Sequence, residues 1–188
     1  MTDTTTSTAA TSTLRERQAP LKDRYGADPA TARFTTAIES TTVGEDPTRV
    51  RVATATGVGP AGGEAAWDVE AHPFAGGTGD LACSGDLLLA SLAACQEITL
   101  RMVAAAMNII LHEVDVRVEG DMDFRGTMGV DPETPVGYTA IRTAIRIRAD
   151  APEDRIQRLI GRAERYCVVA ATLRQSPELT TTVEVVGG

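Results

Sequence analysis

Cys95 and Cys167 lie 72 residues apart, each in an apolar segment that reads as helical: Ser84-Gly-Asp-Leu-Leu-Leu-Ala-Ser-Leu-Ala-Ala-Cys95 and Glu164-Arg-Tyr-Cys167-Val-Val-Ala-Ala. Two thiols that meet can carry out two-electron chemistry. A thiolate attacks an electrophilic oxygen or sulfur, and a second thiol then displaces the product as a disulfide. The competing reading is structural, because a cysteine in oily surroundings packs as a small hydrophobe and burial raises its pKa. What favours chemistry is the second cysteine, which falls on the inner face of the other long helix expected in the chain.

Cys83 is a separate case. It precedes Cys95 by twelve residues, about 18 Å along a helix axis at 1.5 Å per residue, whereas a disulfide needs Cα atoms within about 7 Å. If the helix starts at Ser84, Cys83 is a packing residue or an accessory thiol. With His72 and His112 the three cysteines could suggest a metal, but no C-x-x-C or H-E-x-x-H spacing occurs, so no metal or other cofactor is expected. A Ser-His-Asp hydrolase has no G-x-S-x-G to stand on, and His72 beside Pro73 reads as a loop residue.

A reactive thiolate needs stabilisation. Arg101 is six positions beyond Cys95, about 240° round a helix, and faces away. Arg49 and Arg51, on one face of an expected strand, and Arg33, at the start of the preceding one, are the candidate activating cations. Each could equally be a solvated strand-edge arginine. Asp86 suits the positive end of a helix dipole.

The elements that must position these groups follow from periodicity. Residues 1–30 read as a mobile polar tail over the first thirteen, then a short helix from Leu14 to Tyr25, broken or kinked by Pro20. Phe34, Thr36 and Ile38, then Val50 and Val52, then Ala66-Trp-Asp-Val69, predict a three-strand meander with turns at Gly44–Pro47 and Gly57–Gly63. The glycine-rich Phe74-Ala-Gly-Gly-Thr-Gly-Asp80 lacks the lysine of a phosphate loop and is read as an ordinary loop. Ser84 caps a helix to about Asn108, apolar almost all round, with Glu97 and Arg101 paired on its polar stripe. Such a helix requires cover from more than one sheet or from another subunit.

Alternation at Val114, Val116 and Val118, and at Ile141, Ile145 and Ile147, predicts two one-sided antiparallel strands. Asp150 is expected to cap a helix whose Ile156, Leu159, Ile160, Ala163 and Cys167 share a face, and Thr180–Val186 to form a last strand. The order β-β-β-α-β-β-α-β is α+β, one domain over residues 31–188.

The net charge of −8 and pI near 4.8 argue against nucleic acid and anionic membranes as partners. Three cysteines do not make a disulfide framework, and no signal-like start is present, so the cytoplasm is expected. Gln96, Glu97 and Arg101 interrupt the longest apolar run, so no membrane span is expected.

The stretch Gly85-Asp-Leu-Leu-Leu-Ala-Ser-Leu-Ala-Ala-Cys95 with Ile98-Thr-Leu-Arg-Met-Val103, and Ala163-Glu-Arg-Tyr-Cys167 ahead of Leu173, together resemble the osmotically inducible protein C and organic hydroperoxide resistance family over roughly residues 30–187. The resemblance implies an intertwined α+β homodimer whose antiparallel sheets wrap two central helices. It implies that Cys95 attacks an alkyl or lipid hydroperoxide, that Cys167 resolves the sulfenic acid as a disulfide, and that a dithiol, of the lipoyl type, restores both, in defence against oxidative stress. The peroxidase members carry a glutamate ten residues before the first cysteine, where this chain has Gly85, with Asp86 adjacent. The alternative is a non-catalytic stress protein that keeps the fold to bind a small hydrophobic ligand.

Overall fold

The computed structural model describes residues 13–55 and 65–187. The expected mobile tail and the turn at Gly57–Gly63 fall outside the described residues. The chain divides into two compact units, Met1–Ser84 and Gly85–Gly188.

In the first unit, helix α1 spans Leu14–Ala27 and opens with a reciprocal cap. The Thr13 hydroxyl accepts from the Glu16 backbone N–H at 3.3 Å, and Glu16 Oε2 accepts from the Thr13 N–H at 2.7 Å. The helix passes through Pro20 instead of stopping there. Pro20 removes a single N–H, and the cap satisfies donors at the helix start that would otherwise lack partners.

Strands β1 (Ile38–Thr42), β2 (Arg49–Thr54) and β3 (Ala66–Glu70) form an antiparallel meander in that order, with Ile38 opposite Thr54 and Val52 opposite Trp67. Pairing begins only at Ile38. Phe34 and Thr36, expected on the same strand face, precede it, and Phe34 is 72% exposed. After β3 the glycine-rich loop folds back on its own start so closely that a Cβ on Gly77 would lie 1.7 Å from the Ala71 carbonyl oxygen. Only glycine fits there.

In the second unit, helix α2 (Ser84–Ala106) buries Leu92, Gln96, Leu100 and Ala104, a stripe of period four. Ile98 and Met102 stay exposed. The Arg101 guanidinium meets Glu97 at 2.7 Å, as the i, i+4 spacing implies. By length and composition alone α2 is long and apolar enough to cross a membrane, a test that the central helix of a packed fold also passes. Its C-terminus is closed by Asn108 at φ 51°, with the Ile109 N–H donating to Ala104 O and the Asn108 N–H to Ala105 O. This is a Schellman arrangement that uses asparagine where glycine is common.

Strands β4 (Leu111–Asp121) and β5 (Ala140–Ala149) form a second antiparallel pair, with a short helix α3 (Phe124–Thr127) in the connection. Their outer faces carry Glu113–Arg148, Asp115–Arg146 and Asp121–Arg142 ion pairs. These exposed pairs add little energy, but they favour the observed register. Their inner faces, with Val114 buried, meet helix α4 (Glu153–Tyr166), and Leu100, Ala104, Ile109, Val114, Leu159 and Ala163 make one core. Leu100 and Leu159 are almost wholly buried, each worth about 1.5–3 kcal/mol.

Two expectations need correction here. Asp150 does not cap α4: Pro152 occupies the N-cap position, and the Asp150 carboxylate lies 2.8 Å from His112 Nε2. Residues Thr180–Val186 form no strand, and Val183, Val185 and Val186 are exposed. Alternating valines favour an extended chain, but a strand exists only where an edge pairs with it.

Candidate functional site

Cys167 is not the last residue of a helix face. Helix α4 ends at Tyr166, Cys167 is extended (φ −74°, ψ 106°), and a further helix α5, Val168–Arg174, starts immediately after it. The residue is the joint between two helices, only 1% exposed, and in one apolar cluster with Leu92 of α2 and Ala170 of α5. Cys95, half-buried and one turn after Leu92, packs against that cluster with Val118, Ile141 and Val169.

The two thiols therefore meet, and their surroundings differ. Burial pushes the Cys95 thiol up, but hydrogen bonds from the Val169 N–H, the Cys167 thiol, the Thr99 hydroxyl and the Val168 N–H outweigh it, so its pKa lies below the ordinary thiol value. Cys167 is displaced the other way. Burial raises its pKa, and the adjacent Cys95 sulfur raises it further, against an opposing hydrogen bond from the Ala170 N–H. At a pH between the two values, Cys95 is thiolate and Cys167 a thiol that donates to it. The first turn of α5 was missed in the sequence because two β-branched valines open it. The signal available was the i, i+3, i+4 recurrence of Cys167, Ala170 and Ala171.

The other expected residues are placed as follows. Arg49 sits at the start of β2, where its Nη2 lies 3.2 Å from buried Glu70, 2.9 Å from Asp80 and 2.8 Å from the Thr78 hydroxyl. Glu70 also accepts from the Gly79 and Leu81 N–H groups at 2.6 and 3.1 Å. The Leu81 N–H is the largest influence holding its carboxyl below the ordinary range, despite burial. Hydrogen bonding to Asp80 in turn raises the Arg49 pKa. Arg51 pairs with Asp68 opposite it on β3 at 2.8 Å, and Arg33 closes the short turn Pro29–Ala32. Asp86 lies in the first turn of α2.

Cys83 is buried just ahead of α2 and bridges Glu70, so it belongs to the first unit with the three arginines, while Cys95 and Cys167 belong to the second. His72 Nδ1 accepts from the Phe74 N–H at 3.1 Å, the local role of a loop residue. Among the described residues no cluster of three metal-ligating side chains occurs.

An open groove of about 490 Å³ between α2, the start of β5 and α5 shares Leu92, Ile141 and Ala170 with the cluster that holds the thiols. Leu88, Leu92, Ile141 and Leu173 line it with apolar surface, and Gln96, Tyr138, Thr139, Thr143 and Arg174 with polar groups.

A meander, a long apolar helix with a mid-helix cysteine, a second hairpin and a helix pair holding the partner cysteine make up an α+β fold of the OsmC-like type. Structures that share it are an OsmC-like protein from Mycoplasma pneumoniae (TM-score 0.59, 19% identity, 76% of this chain and 89% of that one) and an organic hydroperoxide resistance protein OsmC from Legionella pneumophila (0.50, 20%, 76% and 90%). A third is an organic hydroperoxide resistance protein from Elizabethkingia anophelis (0.51, 18%, 77% and 91%). The sequence model of the OsmC-like protein family matches residues 77–182, more than half of the chain, and the chain belongs to that family. No curated protein matches the sequence.

Proposed function

We propose that the protein is a thiol-dependent reductase of organic hydroperoxides. The observation that carries this reading is the contact between Cys95 and Cys167, with the first thiol shifted toward thiolate and the second away from it. The Cys95 thiolate attacks the terminal oxygen of R–OOH, and the O–O bond breaks. Sulfur gives up two electrons, the alkoxide leaves and takes a proton as R–OH, and Cys95 becomes a sulfenic acid. Cys167 then attacks that sulfur, forming the disulfide and releasing water with the Cys167 proton. A dithiol, of lipoyl type, exchanges with the disulfide and regenerates both thiols.

Family membership and the hydroperoxide resistance neighbours support this assignment. Arg33, Arg49 and Arg51 remain the candidate auxiliary cations, Asp86 a candidate acid and Cys83 an accessory thiol. The proposal includes one domain over residues 31–188, an intertwined homodimer that covers the exposed face of α2, and a cytoplasmic stress-response role. The groove favours a second reading, a non-catalytic carrier of a small hydrophobic ligand.

Stopped-flow consumption of cumene hydroperoxide with dihydrolipoamide separates the two. Saturable turnover that depends on Cys95 is the expected result, and binding without turnover selects the carrier.

A further inference from the structure

The donors that meet the Cys95 sulfur are the Val169 N–H, the Cys167 thiol, the Thr99 hydroxyl and the Val168 N–H. All are neutral, and the side chains packed round the thiols, Leu92, Val118, Ile141, Val169 and Ala170, are apolar. In such surroundings each dipole counts for more than it would in water. Of the titratable and charged side chains on the elements packed here, Cys167 faces the sulfur. Glu97 and Arg101 pair with each other on another stripe of α2, Arg117, Glu119 and Arg142 are paired on the outer face of the strands, and Arg174 stands at the far end of α5.

Three of these donors ride on the joint between α4 and α5: Cys167 is the joint itself, and Val168 and Val169 open α5. Thr99 is the exception. It belongs to α2, one turn beyond Cys95 at i, i+4, the spacing that stacks two side chains on one helix face. Its place beside the sulfur is set by that helix and not by the packing of α5. The direction of its hydroxyl matters too. A serine or threonine inside a helix can return its proton to a backbone carbonyl in the preceding turn, as Ser91 does to Leu88 O at 2.8 Å and Thr172 to Val168 O at 2.9 Å. The Thr99 hydroxyl is turned to the Cys95 sulfur instead. Half-buried and β-branched, Thr99 has few rotamers open to it, so the orientation costs little entropy to keep.

We propose that Thr99 is a positioning residue for the nucleophile, holding the Cys95 sulfur from its own helix while Cys167 and the start of α5 are engaged in disulfide formation. Its part after the first step rests on the peroxidase reading. Once Cys95 has taken the terminal oxygen of the peroxide, Thr99 donates to the S–OH oxygen. The Cys167 sulfur then bonds to the Cys95 sulfur, the S–O bond breaks with its electron pair on oxygen, and the oxygen leaves as water with the Cys167 proton, while Thr99 keeps its own.

Iodoacetamide alkylation of Cys95 against pH, in the full-length reduced protein, reads the hold on the sulfur without any peroxide. Thr99→Val, nearly isosteric but without the hydroxyl, should raise the Cys95 midpoint by about one pH unit, since a donor to the thiolate is gone. Thr99→Ser should return the midpoint to near the wild-type value, and the valine shift should persist in a Cys167→Ala background. An unchanged midpoint in Thr99→Val, valine and serine variants that shift alike, or a shift that vanishes without Cys167 overturns the proposal. Should far-ultraviolet circular dichroism show that valine disturbs α2, Thr99→Ala is compared with Thr99→Ser: a higher midpoint in alanine supports the proposal, and equal midpoints overturn it. Failure of the peroxidase reading registers separately, as absent cumene hydroperoxide turnover in the wild type alongside an intact alkylation shift.

Discussion

Cys95, within α2, and Cys167, at the joint between α4 and α5, come together in one apolar cluster, and the Cys167 thiol donates to the Cys95 sulfur. The contact displaces the two pKa values in opposite directions, because a donor to a thiolate stabilises it while the charge opposes a second ionisation nearby.

Alkylation rates should reveal this split. Iodoacetamide labelling followed by peptide mass spectrometry should show Cys95 reacting with a pH midpoint below the ordinary thiol value and Cys167 with a midpoint above it. In Cys167→Ala the Cys95 midpoint should rise, since one of its donors is gone. Equal midpoints at the two sites would contradict the assignment of nucleophile and resolving thiol.

Substitution by serine should separate the two roles. Cys95→Ser should abolish peroxide consumption with the fold retained, because the hydroxyl is nearly isosteric but far less nucleophilic. Cys167→Ser should complete a single turnover and accumulate a sulfenic acid at Cys95 that dimedone labels. No dimedone adduct with any of several organic hydroperoxides would remove the peroxidase reading.

Glu70 links pH to the stability of the first unit. Its carboxyl is buried and its pKa is lowered from 4.5, so it contributes stability that is fully present above about pH 4.5 and is lost as pH falls through the depressed folded value. Urea unfolding should show that Glu70→Gln, which cannot ionise, is less stable than wild type at pH 7 and loses less stability on acidification. Parallel curves for the two proteins between pH 7 and pH 3 would show that the Glu70 charge is not what holds the loop.

The open side of α2 calls for a second copy of the chain. Ile98 is 57% exposed and Met102 38% exposed on a helix whose other stripe is core, an arrangement that leaves large apolar surface uncovered. Light scattering at micromolar concentration should give a dimer, and Ile98→Glu should weaken it by at least tenfold in dissociation constant. A folded monomer in the wild type would reject the dimer.

Much of this was readable from periodicity. The alternation of Val114, Val116 and Val118 located β4, and the i, i+4 pair Glu97 and Arg101 located the polar stripe of α2. The two cysteines were expected to face the core, and both are in one apolar cluster. The joint at Cys167 was not readable, because a single helix through Tyr166 and Val168 satisfies the same apolar spacing. The Thr180–Val186 expectation failed because valine alternation records a preference for extended backbone and carries no information about a pairing edge. The Arg49 cluster was invisible for another reason: its partner Glu70 is one more acid at a strand end until the loop at Thr78–Leu81 folds back to donate to it.

The first turn of α5 is held to Cys95 through the Val168 and Val169 N–H groups, which donate to a sulfur that carries charge only while it is reduced. In a Cys95–Cys167 disulfide, as the proposed cycle requires, that charge would be gone, and two amides at the start of a seven-residue helix would lose the acceptor that anchors them. Helix α5 should therefore report redox state: the amide protons of Val168 and Val169 are expected to exchange more slowly with solvent in the reduced protein than after oxidation, and equal rates in the two forms would show that the sulfur charge does not anchor the helix.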